Sequence, residues 1–207
     1  MKKEKKKFPR VVPTEVSVTE LNPLNIKCTT TKCEDGLHCF RPSKRALKEF
    51  GQVGCCQECG AVLIEWERIY QNNVADAPFI FNSMKNELIR HVFWHTEIED
   101  KAISNALKRG KNDLKVHARK KLKSKIGKIP NDWDGRQTPM ISNDIVTYAQ
   151  HATATCCRKC LQYWHNIDYR RQLTEQELDF CTELVMLYIQ DRVCSLQEEK
   201  LQKFLSN

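Results

Sequence analysis

No apolar run in the sequence approaches the 18 or more residues that a membrane-spanning helix requires. The N-terminus, Met1-Lys-Lys-Glu-Lys-Lys-Lys-Phe-Pro-Arg10, is basic, but no apolar stretch follows it, so it does not read as a secretory signal. Internal repeats are also absent. These absences exclude a membrane protein and a secreted disulfide scaffold, and a cytoplasmic location is expected. Apolar residues make up 41% of the 207-residue chain and charged residues 29%, which excludes a disordered tail and leaves one ordinary folded domain or two small ones.

What is abundant is cysteine, 11 residues, together with 6 histidines. A reducing compartment does not keep such cysteines as disulfides, so metal ligation is the leading alternative. The first constellation is Cys28-x4-Cys33, then 22 residues, then Cys56-x2-Cys59-Gly60. Two close pairs on opposing turns are what tetrahedral zinc needs. Backbone amides in each turn can donate to the thiolates, and Gly60 relieves the second turn. His38, Cys39 and Cys55 lie close enough in sequence to compete as ligands. Zinc bound here would contribute roughly 10–16 kcal/mol, enough to fold a segment with too few large apolar residues for a core of its own.

Composition divides the chain into a basic arm (residues 1–20), a zinc-ribbon-like module (21–75) with β-favouring pieces such as Val62 to Trp66, and a helical domain (76–207). Within the last, Asn82 or Ser83 is expected to cap a helix running to His95. Thr96 and Glu99 read as a capping box for a helix from Glu97 to Arg109, ended by Gly110. Asn112 or Asp113 opens another through Ile126. Residues 130–143 read as a loop, and the β-branched stretch Ile145 to Thr155 as extended. A short helix follows from Cys157 to Trp164, and Thr174 with Glu177 forms a capping box before the last helix. His91 and His95, four residues apart, fall on one inward helical stripe.

The second constellation is His151-Ala-Thr-Ala-Thr-Cys156-Cys157-Arg158-Lys159-Cys160-Leu-Gln-Tyr-Trp-His165. Cys157 and Cys160 form one knuckle, and His165 and His151 complete a plausible second zinc site, with Cys156 competing for the fourth position. A redox pair is the other reading of Cys157-x2-Cys160, but no strand–helix–strand pattern surrounds it. Upstream, Asp132, Asp134 and Gln137 form either a turn at Asp134-Gly135 or a divalent-metal site. Arg136 and Arg158 are of the type that clamps phosphate.

The stretch Asp134-Gly-Arg-Gln-Thr-Pro-Met140, the long cysteine motif from His151 to His165, and the His117-Ala118 pair together resemble the signature of an uncharacterised bacterial family known only as a domain of unknown function. The resemblance covers roughly residues 105–193 and implies no assigned activity. It implies that residues 1–70 are accessory and that the C-terminal site is completed within its own domain. Cys157-Arg158-Lys159-Cys160 with His165 also resembles the second zinc knuckle of treble-clef HNH nucleases. The usual Asp-His pair before that knuckle is missing.

Positive charge outnumbers negative, 34 against 26. It is concentrated between Lys108 and Lys128, where ten cations face only Asp113. A helix there keeps the apolar stripe Leu114, Ala118, Leu122 and Ile126 and is basic elsewhere, too thin a stripe for a membrane surface.

These readings define an α-rich α+β protein: a zinc-stabilised ribbon-like module followed by a helical domain with a second Cys/His site. Two zinc ions per chain are expected, on Cys28, Cys33, Cys56 and Cys59, and on Cys157, Cys160, His165 and His151. The expected function is nucleic-acid binding, with DNA as partner, through Lys115, Arg119, Lys120, Lys121, Lys123 and Lys125. The alternative is a metal-dependent phosphodiester hydrolase with a further divalent metal. There His151 or His117 acts as base, Asp134 holds metal or water, and Arg158 stabilises charge. A zinc-stapled module binding an acidic protein is the third reading.

Overall fold

A computed structural model describes residues 28–128, 138–139 and 142–205. The basic arm and Asp132, Asp134, Arg136 and Gln137 lie outside the described residues. The helices are α1 (Lys44–Phe50), α2 (Trp66–Ile69), α3 (Ala77–Met84), α4 (Leu88–His95), α5 (Asp100–Lys125), α6 (Ile145–Ala152), α7 (Arg158–His165) and α8 (Glu175–Leu205), with short 3-10 turns at Cys33–Asp35 and Val74–Asp76. The chain is helix-rich. Among the described residues, β pairing is confined to two isolated bridges, Lys32 with Leu37 and His38 with Glu87. No β ribbon is present there: Val62 and Leu63 are exposed and unpaired into strands, and α2 begins at Trp66. None of the described helices is long and apolar enough to cross a membrane.

Two compact units result. One runs to Ile64 and takes in Lys85–Glu97; the other comprises Glu65–Met84 and everything from Ile98 onward. In the first, the chain after Leu37 is tied to the start of α4. The His38 amide donates to the Asn86 carbonyl at 2.8 Å, and the Leu88 amide donates to the His38 carbonyl at 2.9 Å. Glu87 and Arg90 form an ion pair at 3.0 Å that is almost wholly buried. Such a pair contributes little net energy when intact but is costly to break from one side.

The expected helix from Asn82 to His95 is two helices, α3 and α4, broken at Lys85–Glu87. Ser83 does not cap; its hydroxyl donates within α3 to the Phe79 carbonyl at 3.0 Å. Thr96 likewise donates to Val92 at 2.9 Å, so it closes α4 rather than capping α5. Gly110 interrupts α5 as expected, with φ 72° and ψ 167°, a conformation open to glycine and strained for other residues.

The second unit is built on α8, against which α3, α5 and α6 pack. The stripe Leu114, Ala118, Leu122 and Ile126 is buried, facing Leu178, Cys181, Leu184, Val185 and Tyr188, which are buried too. The capping box at α8 forms in both directions: the Thr174 amide donates to Glu177 at 2.8 Å, and the Glu177 amide to the Thr174 hydroxyl at 3.1 Å. Residues Ile145 to Ala152 are helical, not extended. Asp144 accepts the Val146 amide at 3.0 Å as N-cap, and every residue of α6 is buried. Tertiary burial on all sides overrides the β preference of Ile145, Val146 and Thr147.

Candidate metal centres and the basic helix

In the first unit, Cys33, His38, Cys56 and Cys59 bring one ligand atom each to within 4.8 Å of all the others. Cys33 and Cys56 sulfurs are 3.7 Å apart, and Cys59 Sγ lies 3.4 Å from His38 Nδ1. Zinc at the centre of a tetrahedron, with bonds of about 2.3 Å to sulfur and 2.0 Å to nitrogen, requires edges of about 3.8 Å and 3.6 Å. The donor set therefore fits zinc with little rearrangement.

Two turns hold these ligands. After Cys33, Gly36 adopts φ 70° and its amide donates to the Cys33 carbonyl at 3.1 Å, while Lys32 and Leu37 pair across the loop. After Cys56, the Gly60 amide donates to the Cys56 carbonyl at 2.9 Å with φ 72°. A Cβ on Gly60 would come within 2.8 Å of the Phe50 ring, so both conformation and space require glycine. Burial pushes the Cys56 thiol up, but the backbone amides of Cys59, Cys39 and Glu58 and the His38 side chain together bring it down to about 6. Its neighbour Cys33 is pushed up to about 12 by burial and by hydrogen bonding with Cys59 and Cys56. Metal binding would release the protons that the thiols hold.

His38, rather than Cys28, completes this cluster. Cys28 is exposed, and its carbonyl accepts the Cys39 thiol at 3.3 Å. Cys39 is buried, which holds its thiol up at about 12, and Cys55 bonds to the Gln52 carbonyl at 3.6 Å; neither belongs to the cluster. The expected four-residue spacing holds one pair further along, as Cys33-x4-His38. Gly36 inside that loop, matching Gly60 in the second turn, is the sequence signal that would have located it.

In the second unit, Cys156, Cys157 and Cys160 form a three-sulfur cluster within the same 4.8 Å limit. Cys157 stands at the N-cap of α7 and Cys160 in its first turn, where the positive end of the helix favours thiolates. The Cys156 hydrogen bond lowers the Cys157 thiol, but Cys160 and burial outweigh it and leave the group at about 11. Cys156 takes the competing place. His165 and His151 are not among the grouped residues: His165 Nε2 is 3.2 Å from the Thr153 carbonyl, and His151 Nε2 is 2.9 Å from the Pro139 carbonyl. The ten cysteines whose side chains are described are free of disulfides.

Arg158, expected to clamp phosphate, is fully buried. Its guanidinium donates to the carbonyls of Ile126 at 2.6 Å, Lys128 at 2.8 Å and Tyr169 at 2.6 Å, and also to that of Arg171. His91 and His95 share a face of α4, half-buried, with ring centres 4.4 Å apart.

The basic stretch is largely answered by acids from α8. Lys115 pairs with Glu183 at 3.0 Å, Arg119 with Glu175 at 2.5 Å and Asp179 at 2.8 Å, and Lys123 with Glu175 at 2.8 Å. Lys121 and His117 both bond Asp144 Oδ2, each at 2.8 Å. Burial pushes the Asp144 carboxyl up, but these two partners and the Val146 amide hold it below its ordinary value of 3.8. Lys120 and Lys125 are exposed, with no ion pair among the described residues. Asp144 escaped notice in the sequence because its acceptor role depends on partners more than twenty residues away.

Residues 79–190 match the family described as domain of unknown function DUF4186. The match spans just over half of the chain, and the protein belongs to that family. No solved structure matches. The family's span includes the three-sulfur cluster, the basic half of α5 and Asp144, but not the cluster at Cys33, His38, Cys56 and Cys59.

Proposed function

We propose that the protein is a zinc-binding, cytoplasmic nucleic-acid-binding protein in which the Cys33, His38, Cys56, Cys59 site holds a structural zinc ion. The observation that carries this reading is the ligand spacing, 3.7 Å for sulfur to sulfur and 3.4 Å for sulfur to nitrogen, close to the edges of a zinc tetrahedron. Four protein ligands leave no open coordination position, so this metal stabilises fold rather than activating water. The three-sulfur cluster at the start of α7 would take a second zinc, its fourth ligand supplied by solvent.

Support for nucleic acid comes from the cations that α8 does not neutralise. Lys108, Lys111, Lys120, Lys125 and Lys128 are all exposed. With the lysines of the N-terminal sequence they would hold the phosphate backbone of duplex DNA. No observation favours the hydrolase reading: Arg158 is engaged by carbonyls, His151 by Pro139, and Asp134 lies outside the described residues.

Native mass measurement of metal per chain tests the first part, with two zinc ions expected and none overturning it. Filter binding of duplex DNA against salt tests the second. Each phosphate contact steepens the log–log slope by about 0.9, so five cations give a slope on the order of −4 to −5. A flat salt response, or binding to an acidic protein alone, would remove DNA from the proposal.

A further inference from the structure

A second set of α5 side chains, other than those paired with α8, lines a polar hollow. A hollow of about 80 Å3 is lined by Asn105, Arg109, His117, Asn143 and Asp144, among others. Space of that size holds roughly two to three waters, or one small ion. It lies where the Gly110 kink changes the course of α5, so that Asn105 and Arg109 before the kink and His117 after it border one cavity.

The polar groups of the hollow are built, not scattered. Asp144 is fixed from both sides: its Oδ1 accepts the Val146 amide at 3.0 Å as cap of α6, and its Oδ2 accepts His117 Nε2 and Lys121 Nζ, each at 2.8 Å. Lys121 is locked further by the Thr147 hydroxyl at 2.6 Å. An ionised carboxylate can only accept, so the hydrogen on His117 must sit on Nε2, and Nδ1 is the ring nitrogen left for a ligand. Asn105 donates to the Asn143 carbonyl at 3.1 Å, which sets the far wall. Arg109 is exposed and has no ion pair among the described residues.

Among the described residues Asp144 is the only acid lining the hollow, and Lys121 already balances its charge. Arg109 adds a positive charge that has no ion pair among the described residues. We propose that this hollow is a binding site for a phosphate group, either free phosphate or the end of a phosphomonoester. Arg109 supplies the forked N–H donors, and His117 Nδ1, whose orientation Asp144 sets, accepts the P–OH hydrogen of the phosphate group. The site is separate from the lysines assigned above to duplex DNA, and it does not depend on that assignment.

The test uses the full zinc-loaded chain and calorimetric titration with inorganic phosphate, then with methyl phosphate. Phosphate is expected to bind with Kd of about 1 mM or tighter. Arg109→Gln and His117→Gln should each weaken it about tenfold or more, while Lys101→Gln, elsewhere on α5, leaves it unchanged. Equal binding of methyl phosphate assigns a phosphomonoester; binding of phosphate alone assigns the free anion. Arg109 is exposed, so its variant folds even if His117→Gln does not. No saturable binding by the unaltered chain, or unchanged affinity in Arg109→Gln, overturns the proposal. Duplex DNA that binds without being displaced by phosphate leaves the nucleic-acid reading standing when this one fails.

Discussion

Arg158 Nη1 donates to the main-chain carbonyl of Ile126 at 2.6 Å, across thirty-two residues of sequence and wholly out of solvent. The same guanidinium satisfies the carbonyls of Lys128, Tyr169 and Arg171, so one side chain ties together two chain segments, 126–128 and 169–171. Arg158→Ala should therefore destabilise the protein by about 3–5 kcal/mol, since the carbonyls lose their partner together. Arg158→Lys should recover little, because an ammonium lacks the planar fork. Urea unfolding gives the figure. A variant of ordinary stability that had lost phosphate or DNA affinity would instead make Arg158 a ligand-binding residue.

Zinc stoichiometry separates the two candidate ligand sets in the first unit. Cys33→Ser or His38→Ala should remove one zinc ion from the native mass and unfold the segment around Phe40, whereas Cys28→Ser should keep both metal and fold. Retention of zinc in His38→Ala with loss in Cys28→Ser would reverse the assignment of the fourth ligand.

Gly60→Ala should weaken the same site without touching a ligand. The left-handed backbone costs alanine on the order of 1 kcal/mol, and the new methyl would press on Phe50 at 2.8 Å. Metal competition with a chelator should show faster zinc loss than in the unaltered chain; equal rates would mean that the turn tolerates a side chain.

Charge reversal on α5 should have unequal effects according to partner. Lys120→Glu with Lys125→Glu, at exposed positions, should weaken duplex DNA binding and flatten the salt slope by roughly 2. Lys115→Gln with Lys123→Gln removes pairs with Glu183 and Glu175, so it should affect DNA less and the packing of α8 more. Equal losses from both pairs of substitutions would show that the α8 acids do not mask their partners.

Acid should loosen the contact between α5 and α8 through Glu175. Hydrogen bonds from Lys123 and Arg119 hold this carboxyl down at about 2, against an ordinary 4.5. A carboxylate depressed in the folded state favours folding above pH 4.5, and that advantage disappears as pH falls from 4.5 to about 2. Glu175→Gln should flatten the stability curve within that window and leave it unchanged in slope above pH 5. The same slope in variant and parent would assign the acid sensitivity to other carboxylates.

Local signals were legible wherever both partners lie within one turn of chain. The Thr174–Glu177 capping box, the Gly110 break, the buried stripe on α5 and the start of α7 at Cys157 all depend on residues a few positions apart. Errors cluster where a distant segment decides. Ile145 to Ala152 carries strand-favouring residues but is a helix because burial on every side and the Asp144 cap outweigh intrinsic preference. Val62 to Ile64 carries similar residues and has no strand to pair with, since a lone strand leaves its amides unsatisfied.

The sequence by itself determined that cysteines would gather into two thiol-rich knuckles, because each knuckle needs only a short spacing between ligands, with a glycine turn in the first. It also placed the protein in its family. Only the tertiary structure decided which side chains stand opposite one another: His38 with Cys59, Cys156 with its two neighbours, Arg158 with Ile126, Asp144 with His117. The basic run is the clearest case. Read along the chain it is nearly unopposed, yet in the fold three of its cations meet Glu175, Asp179 and Glu183 of a helix more than fifty residues away. Coulomb attraction depends on distance through space, and separation along the chain does not report it.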